Sequence, residues 1–393
     1  MMARRELLQL VFAQIFILAA MMGLRLAAPL FALSLDYSAG AVGALVALFA
    51  LVQVFLSIPA GRYADRQGIK RPMGFAVSAS VCALAVLAVF PSVTALCIAA
   101  MVTGASSGVT SIVLQRYLGR VSVSNHERKN LFSWFAMSPA VSGFVGPYAA
   151  GLIIDHATGA ADSMLSFQIC FAVLGCLPIL TWLLLLPVKE LPVTPVSPSQ
   201  APTQTWGLLR SKNFRYILFV NWLLACVWDV HSFLVPVLGY ERGCSASTTG
   251  MILGGFALAA AFIRMALPLL GSRLTEKQII AASLGVTVLV FATYPFAQLP
   301  SQMFACSIVL GLALGSVQPM IMSMLIQVTP PAKHGIALGI RLTALNASTF
   351  VIPMIAGSFG ALIGVSAVFW IVALMVAGGS PAVRMITIKA DHS

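Results

Sequence analysis

Twelve apolar runs, each about as long as a bilayer crossing, set the limits on what this chain can become. A membrane helix needs about 20 mostly apolar residues. The runs fall near 8–33, 40–60, 73–90, 95–115, 131–154, 164–186, 214–238, 247–270, 279–297, 301–327, 335–357 and 362–379. Short polar breaks separate them and leave no room for a soluble domain. Only 9% of the residues are charged, against roughly 25% in an ordinary soluble domain. A water-facing surface of normal polarity is out of reach. That excludes a soluble enzyme, a disordered protein and a nucleic-acid-binding domain. The sequence predicts an all-α membrane protein with twelve transmembrane helices.

The N-terminus resembles a signal peptide, because Arg4 and Arg5 precede an apolar stretch. That stretch is too long for an h-region and contains Arg25 and Pro29, so it reads as an uncleaved first span. Six of the seven cysteines lie in apolar runs, where they act as small hydrophobes, and Cys244 sits in a loop. No disulfide framework, metal-ligand spacing or nucleotide-binding motif is present, and no cofactor is expected.

Charge distribution tests the count. With twelve spans, all but four of the 23 basic residues fall on one side, including Arg128, Lys129, Arg273, Lys333 and Lys389. The other side receives Arg242, and Arg25, Arg264 and Arg341 lie inside spans. This asymmetry places both termini in the cytoplasm. It also accounts for the net charge of +12 as loops facing an anionic leaflet, with membrane lipid as the partner and no nucleic acid. The compact loops and short tails point to a bacterial inner membrane and a monomer.

The stretch 187–212 is rich in Pro, Ser, Thr and Gln and reads as a loop. It divides the chain into a bundle over 1–187, a cytoplasmic linker over 188–212 and a second bundle over 213–393. The two bundles match at an offset of about 207 residues: Gly43 with Gly250, Phe55 with Phe262, Pro29 with Pro236, Gly104 with Gly311. After a one-residue slip, Pro147 and Gly151 match Pro353 and Gly357. Such repeats build many transporters, with the substrate site at the repeat interface.

After the second run the sequence reads Gly61-Arg62-Tyr63-Ala64-Asp65-Arg66-Gln67-Gly68-Ile69-Lys70-Arg71. Gly, then Asp-Arg, then Gly, then two basic residues is similar to the signature of the major facilitator superfamily, and the resemblance covers nearly the whole chain. It implies two pseudo-symmetric six-helix bundles and a gate latch at Gly61, Asp65, Arg66, Gly68 and Arg71. An ordinary turn obeying the positive-inside rule is the competing reading. The equivalent second-half loop, Gly271-Ser272-Arg273, lacks the acidic partner. In the fifth run, Gly146-Pro147 with Gly151 resembles the Gly-Pro motif of drug–proton antiporters, with Ala150 replacing the first glycine of its closing pair. Generic small-residue packing explains it equally well. Ala100 stands four residues before Gly104, where many such antiporters carry an arginine. That arginine's proton-relay role does not transfer.

Ionisable groups at bilayer depth are costly and mark function by default. Arg25, Asp229, His231, Arg264 and Arg341 qualify. The repeat places Arg25 and Asp229 at neighbouring levels on symmetry-related helices, facing each other across a cavity. Such a pair either binds substrate or ties spans one and seven together. Arg264 and Arg341 line the cavity, snorkel to the interface or gate it. His231 is a coupling-proton carrier or a packing residue, and Asp229 is the second proton candidate. Gln318, Asn346 and Trp228 join the candidate lining, with Gln14, Gln53, Asn221, Trp222, Tyr148 and Phe135 as further polar or aromatic wall residues.

One carboxylate against three arginines leaves surplus guanidinium, whose planar fork suits carboxylate or phosphate. The expected function is proton-coupled transport of a small organic anion or zwitterion by alternating access. The alternative is a proton-driven exporter of lipophilic drugs, favoured by the partial Gly-Pro motif and 17 adaptable methionines. An enzyme would need a nucleophile–base or metal constellation. Asp229 and His231 do not form one, because residues two apart point to different helix faces. A receptor or scaffold would carry a signalling domain or long tails.

Overall fold

The structure is a computed structural model that describes residues 4–121, 131, 134–158, 163–190, 205–267, 275–330 and 334–386. Arg128, Lys129, Gly271, Ser272, Arg273, Lys333, Lys389 and linker residues 191–204 lie outside them, as do the side chains of Asp65 and Arg66 and the surroundings of Gly61. The described residues form twelve long helices and no strand. The first half contains α1 (Arg4–Ser34), α2 (Ala39–Gln67), α3 (Lys70–Val89), α4 (Val93–Val121), α5 (Ser138–His156) and α6 (Met164–Leu185). The second contains α7 (Lys212–Glu241), α8 (Ala246–Ala266), α9 (Glu276–Thr293), α10 (Pro300–Gln327), α11 (His334–Ile363) and α12 (Val365–Gly379). Ten candidate spans among the described residues are long and apolar enough to cross a membrane. The described apolar part of α2 is short, Ala39–Gln53. α5 is diluted by Ser138, Ser142, Tyr148 and its glycines and prolines.

Local chemistry sets the helix starts. Ser38, Ser163, Ser211, Ser245 and Thr275 stand at N-caps and accept from backbone N–H groups in the first turn. Thr275 and Gln278 complete a capping box. The predicted fifth span began at residue 131, whereas α5 begins at Ser138. A turn at Ala136–Met137 precedes α5, and Pro139 stands in its first turn, where a missing N–H costs no intrahelical bond. α11 runs to Ile363, and Gly364, at φ 89°, breaks the chain before α12.

Within the first half, polar side chains join the helices. Ser142 Oγ donates to the Ile15 carbonyl at 2.9 Å, and Thr181 Oγ1 donates to the Ala13 carbonyl at 3.0 Å. These bonds tie α5 and α6 to α1 where no water competes.

The repeat is visible in space. Two lateral grooves of about 730 and 710 Å³ lie against α8–α9–α10 and α2–α3–α4. Leu56, Ala79, Val102 and Val109 line one, and Ile263, Val286, Val309 and Ser316 line the other at the predicted register.

The odd-numbered helices start, and the even-numbered helices end, on one face. Lys70, Arg71, Arg116, Arg120, Lys189, Arg210 and Lys277 are on this basic face, and Arg242 is on the opposite one. The halves meet along two seams, α5 on α8 and α2 on α11. Toward the opposite face both seams close backbone to backbone. A Cβ on Gly250 would strike the Pro147 carbonyl, and one on Gly43 would strike the Pro353 carbonyl. Eleven residues, about three turns, separate Pro353 from Leu342 on one helix and Gly254 from Met265 on the other. Leu342 and Met265 thus continue the seam-facing stripes toward the basic face, yet they are 54% and 62% exposed. The halves are closed at the opposite face and part toward the basic one.

Candidate functional site

α7 supplies most of the central wall. A cavity of about 210 Å³ is lined by Asn221, Ala225, Trp228 and Asp229 of α7, Arg264 of α8, Gln318 of α10 and Thr349 of α11. The α7 residues recur at intervals of three or four, which puts them on one helical face. Pro236 and Pro319 fall inside α7 and α10, as membrane helices tolerate when neighbours satisfy the freed backbone groups.

Asp229 is the anionic corner and is 5% exposed. Its Oδ2 accepts from Ser348 Oγ at 3.0 Å and Thr349 Oγ1 at 3.3 Å, both on α11. Arg25, on α1 of the other half, places Nη2 at 3.9 Å from Asp229 Oδ1. This separation is an ion pair without a hydrogen bond, and Arg25 Nε and Nη2 find no hydrogen-bond partner among the described residues. The contact therefore spans the two halves and is held loosely.

Two further guanidiniums have only neutral acceptors. Arg341 Nε donates to Asn221 Oδ1 at 3.2 Å, and its Nη2 donates to Gln318 Oε1. Arg264 Nε donates to the Gly315 carbonyl at 3.2 Å, and its guanidinium lies 5.9 Å from the centre of the Trp228 ring. Among the described residues, no carboxylate comes within ion-pair distance of either. Arg341 is 6% exposed, so the Asn221 and Gln318 oxygens hold it below the mouth rather than letting it snorkel out.

His231 faces away from this cavity. Its Nε2 shares a hydrogen bond with Ser307 Oγ at 2.9 Å, which also bonds the Tyr294 hydroxyl at 2.9 Å. The imidazole packs 4.3 Å from the Phe256 ring, which in turn meets Trp228 edge-on at 4.5 Å. The structure thus brings Arg25, Asp229, Trp228, Arg264, Arg341 and Gln318 together and sets His231 behind the aromatic wall. Asn346 is half-buried on α11 outside the cavity lining. Gln14 donates to Ser111 Oγ at 2.6 Å inside the first half, and Phe135 packs in that half's basic-side core. Thr349 and Ser348 were not anticipated; Thr349 lies one turn beyond Leu345, which also lines the cavity, and Ser348 is its neighbour in the chain.

The described part of the signature loop binds its own half and the start of the stretch that follows it. Gly68 has φ 74°, the left-handed conformation that closes the α2–α3 turn. Lys70 Nζ donates to the Leu186 carbonyl at 2.9 Å, the Lys70 backbone N–H donates to Glu190 Oε1 at 3.0 Å, and Arg71 Nη1 donates to Gln67 Oε1. In α5, Gly146 lies against the Ala19 backbone of α1, whereas Pro147 and Gly151 face α8.

Sequence comparison gives a family. The profile of the Major Facilitator Superfamily matches residues 10–243 and 217–390. No curated protein sequence matches the chain. Among solved structures, a bacterial homolog of the human lysosomal transporter Spinster, in an inward-facing and occupied conformation, is similar at 13% identity and TM-score 0.80, over 97% of this chain and 96% of that one. The nucleoside transporter NupG is similar at 13% identity and TM-score 0.75, over 97% and 98%. A POT family transporter in complex with 5-aminolevulinic acid is similar at 13% identity and TM-score 0.79, over 97% and 96%.

Proposed function

Because the chain belongs to the Major Facilitator Superfamily, whose members are membrane transporters, we propose that it carries a small organic anion or zwitterion by proton-coupled alternating access. The observation that carries this reading is the pair Arg264, in the cavity lining, and Arg341, bonded to the lining residues Asn221 and Gln318, two guanidiniums with neutral acceptors alone. A buried cation held only by amide and carbonyl oxygens is incompletely compensated. A carboxylate or phosphate in the cavity supplies the missing charge in bidentate geometry. Trp228 offers a flat apolar wall beside it. Asp229 is the proposed proton carrier, since its contact with Arg25 crosses the halves and is remade or lost as they rock. No coupling role for His231 is supported by its place behind Phe256.

The positive-inside rule supports a cytoplasmic basic face, hence both termini inside and a cavity open inward. Residues 1–187 and 213–393 act as the two rocking bodies, 188–212 as their cytoplasmic linker, and the chain works as a monomer in a bacterial inner membrane.

A thermal-shift screen of detergent-purified protein tests the substrate class. Carboxylates, phosphate esters and amino acids such as 5-aminolevulinic acid are compared with lipophilic cations. A ligand at a hundred times its dissociation constant stabilises by about 2.7 kcal/mol. Stabilisation by an anion that is lost in Arg341→Gln is the expected result. Stabilisation by lipophilic cations alone overturns the reading and favours the drug-exporter alternative.

A further inference from the structure

The seam between α5 and α8 carries a charge that its repeat partner lacks. Asp155 stands in the last turn of α5, in the first half. Its Oδ1 accepts from the Ala246 backbone N–H at 3.0 Å, and its Oδ2 accepts from the Ser247 backbone N–H at 2.7 Å. Both donors belong to the first turn of α8, in the second half.

The first turn of a helix has N–H groups with no intrahelical partner. Here each is accounted for. Thr248 N–H donates to Ser245 Oγ at 3.2 Å, and Thr249 N–H donates to the Ser245 carbonyl at 3.0 Å. Ala246 and Ser247 remain, and the carboxylate from the other half takes both. An anion at this position also meets the positive end of the helix dipole, about half an elementary charge. The carboxylate is thus bound as a helix N-terminus binds phosphate, with the anion supplied by the opposing half of the molecule.

The pseudo-symmetric seam shows what is special. Ser38, Ala39 and Gly40 repeat Ser245, Ala246 and Ser247 at the start of α2. Counting on from the Gly151–Gly357 match, Asp155 falls at Ala361 of α11. A Cβ at Gly40 would lie 3.7 Å from the Ala361 Cβ, so the two seams juxtapose the same positions. Both seams have close glycine contacts, and the carboxylate clasp is present at Asp155 and replaced by a methyl at Ala361.

We propose that Asp155 is the latch of the gate on the opposite face: it holds the two halves closed there, and the transport cycle must release it before the cavity opens to that side. The latch rests on the alternating-access reading and is independent of the substrate class. Release exposes a carboxylate and two N–H groups to water, so the contact can break without leaving buried charge. Its geometry needs both halves at their present separation, which makes it specific to this state.

Hydrogen exchange by mass spectrometry on the full chain in nanodiscs tests the latch. In Asp155→Ala, amides in the first turn of α8 and in the distant α2–α11 seam around Gly43 and Gly357 exchange faster, by roughly tenfold for loss of hydrogen bonds to a charged group. Asp155→Asn, which keeps one acceptor, falls between. Ala361→Asp adds the clasp to the second seam and slows exchange at both. Acceleration confined to residues 245–249 overturns the proposal and leaves Asp155 a local cap. If Asp155→Ala does not fold, Ala361→Asp decides: unchanged exchange at both seams overturns the latch. Anion-induced thermal stabilisation, measured on the same samples, reports the substrate reading separately.

Discussion

Asp229 and Arg25 illustrate how a single residue's environment becomes a prediction. Asp229 is buried and Arg25 half-buried at a depth where charge is expensive, and the contact of 3.9 Å between them is their mutual compensation. Removing one partner leaves the other unpaired, which in buried pairs costs about 3–5 kcal/mol. The loose separation and the Ser348 and Thr349 hydroxyls on Asp229 argue for the low end. Asp229→Asn is expected to lower the unfolding temperature in detergent, and the double variant Arg25→Met with Asp229→Asn is expected to recover most of the loss. Equal losses in the single and double variants would show that the pair contributes nothing. This pair was legible in the sequence because charges inside apolar runs are scarce. The separation of His231 from Asp229 was legible too, from helical geometry. The latch was hidden. Asp155 sits just past the predicted end of the fifth run and reads like a loop residue, and its partners are backbone N–H groups that no side-chain pattern announces.

At the scale of elements, the seams decide which conformations exist. Glycines repeat at Gly43 and Gly250, and the structure uses both for backbone contact between halves. The repeat was readable in the sequence; its use in closing one face was not, because equivalent positions need not make equivalent contacts. A methyl at Gly250 would strike the Pro147 carbonyl, whereas one at Gly285 meets nothing within 4 Å. Overpacking costs about 1–3 kcal/mol, charged here against the closed seam alone. Gly250→Ala is therefore expected to bind the anion that stabilises the wild type, yet transport it poorly in liposomes. Gly285→Ala, on α9 away from the seam, is expected to transport normally. Equal flux in the two variants would show that the seam does not limit the cycle. Two of the span boundaries that moved lie beside Pro139 and Gly364, where backbone chemistry rather than the apolar pattern sets the helix end.

For the whole molecule, charge asymmetry and seam geometry give one combined expectation. In the proposed orientation the basic face is cytoplasmic, as the positive-inside rule expects, and the halves part toward that face. A residue on the exposed part of the α11 stripe should therefore meet water only from the cytoplasm. Leu342, 54% exposed and three turns from the closed contact at Pro353, is such a site. Tyr37, 43% exposed in the α1–α2 turn, is its counterpart on the opposite face. With each changed to cysteine, a membrane-impermeant maleimide added to intact cells should modify Tyr37→Cys and spare Leu342→Cys. Inside-out vesicles should reverse the result. Reversed labelling in both preparations would invert the orientation, and the loops would then break the charge rule. Protection of Leu342→Cys from both sides would mean the basic-side opening is closed in the membrane. The two measurements are coupled through Asp155. Its loss should raise the reactivity of sites near the opposite-face seam from outside while lowering that of Leu342→Cys from inside, because one rigid rocking motion cannot open both faces at once.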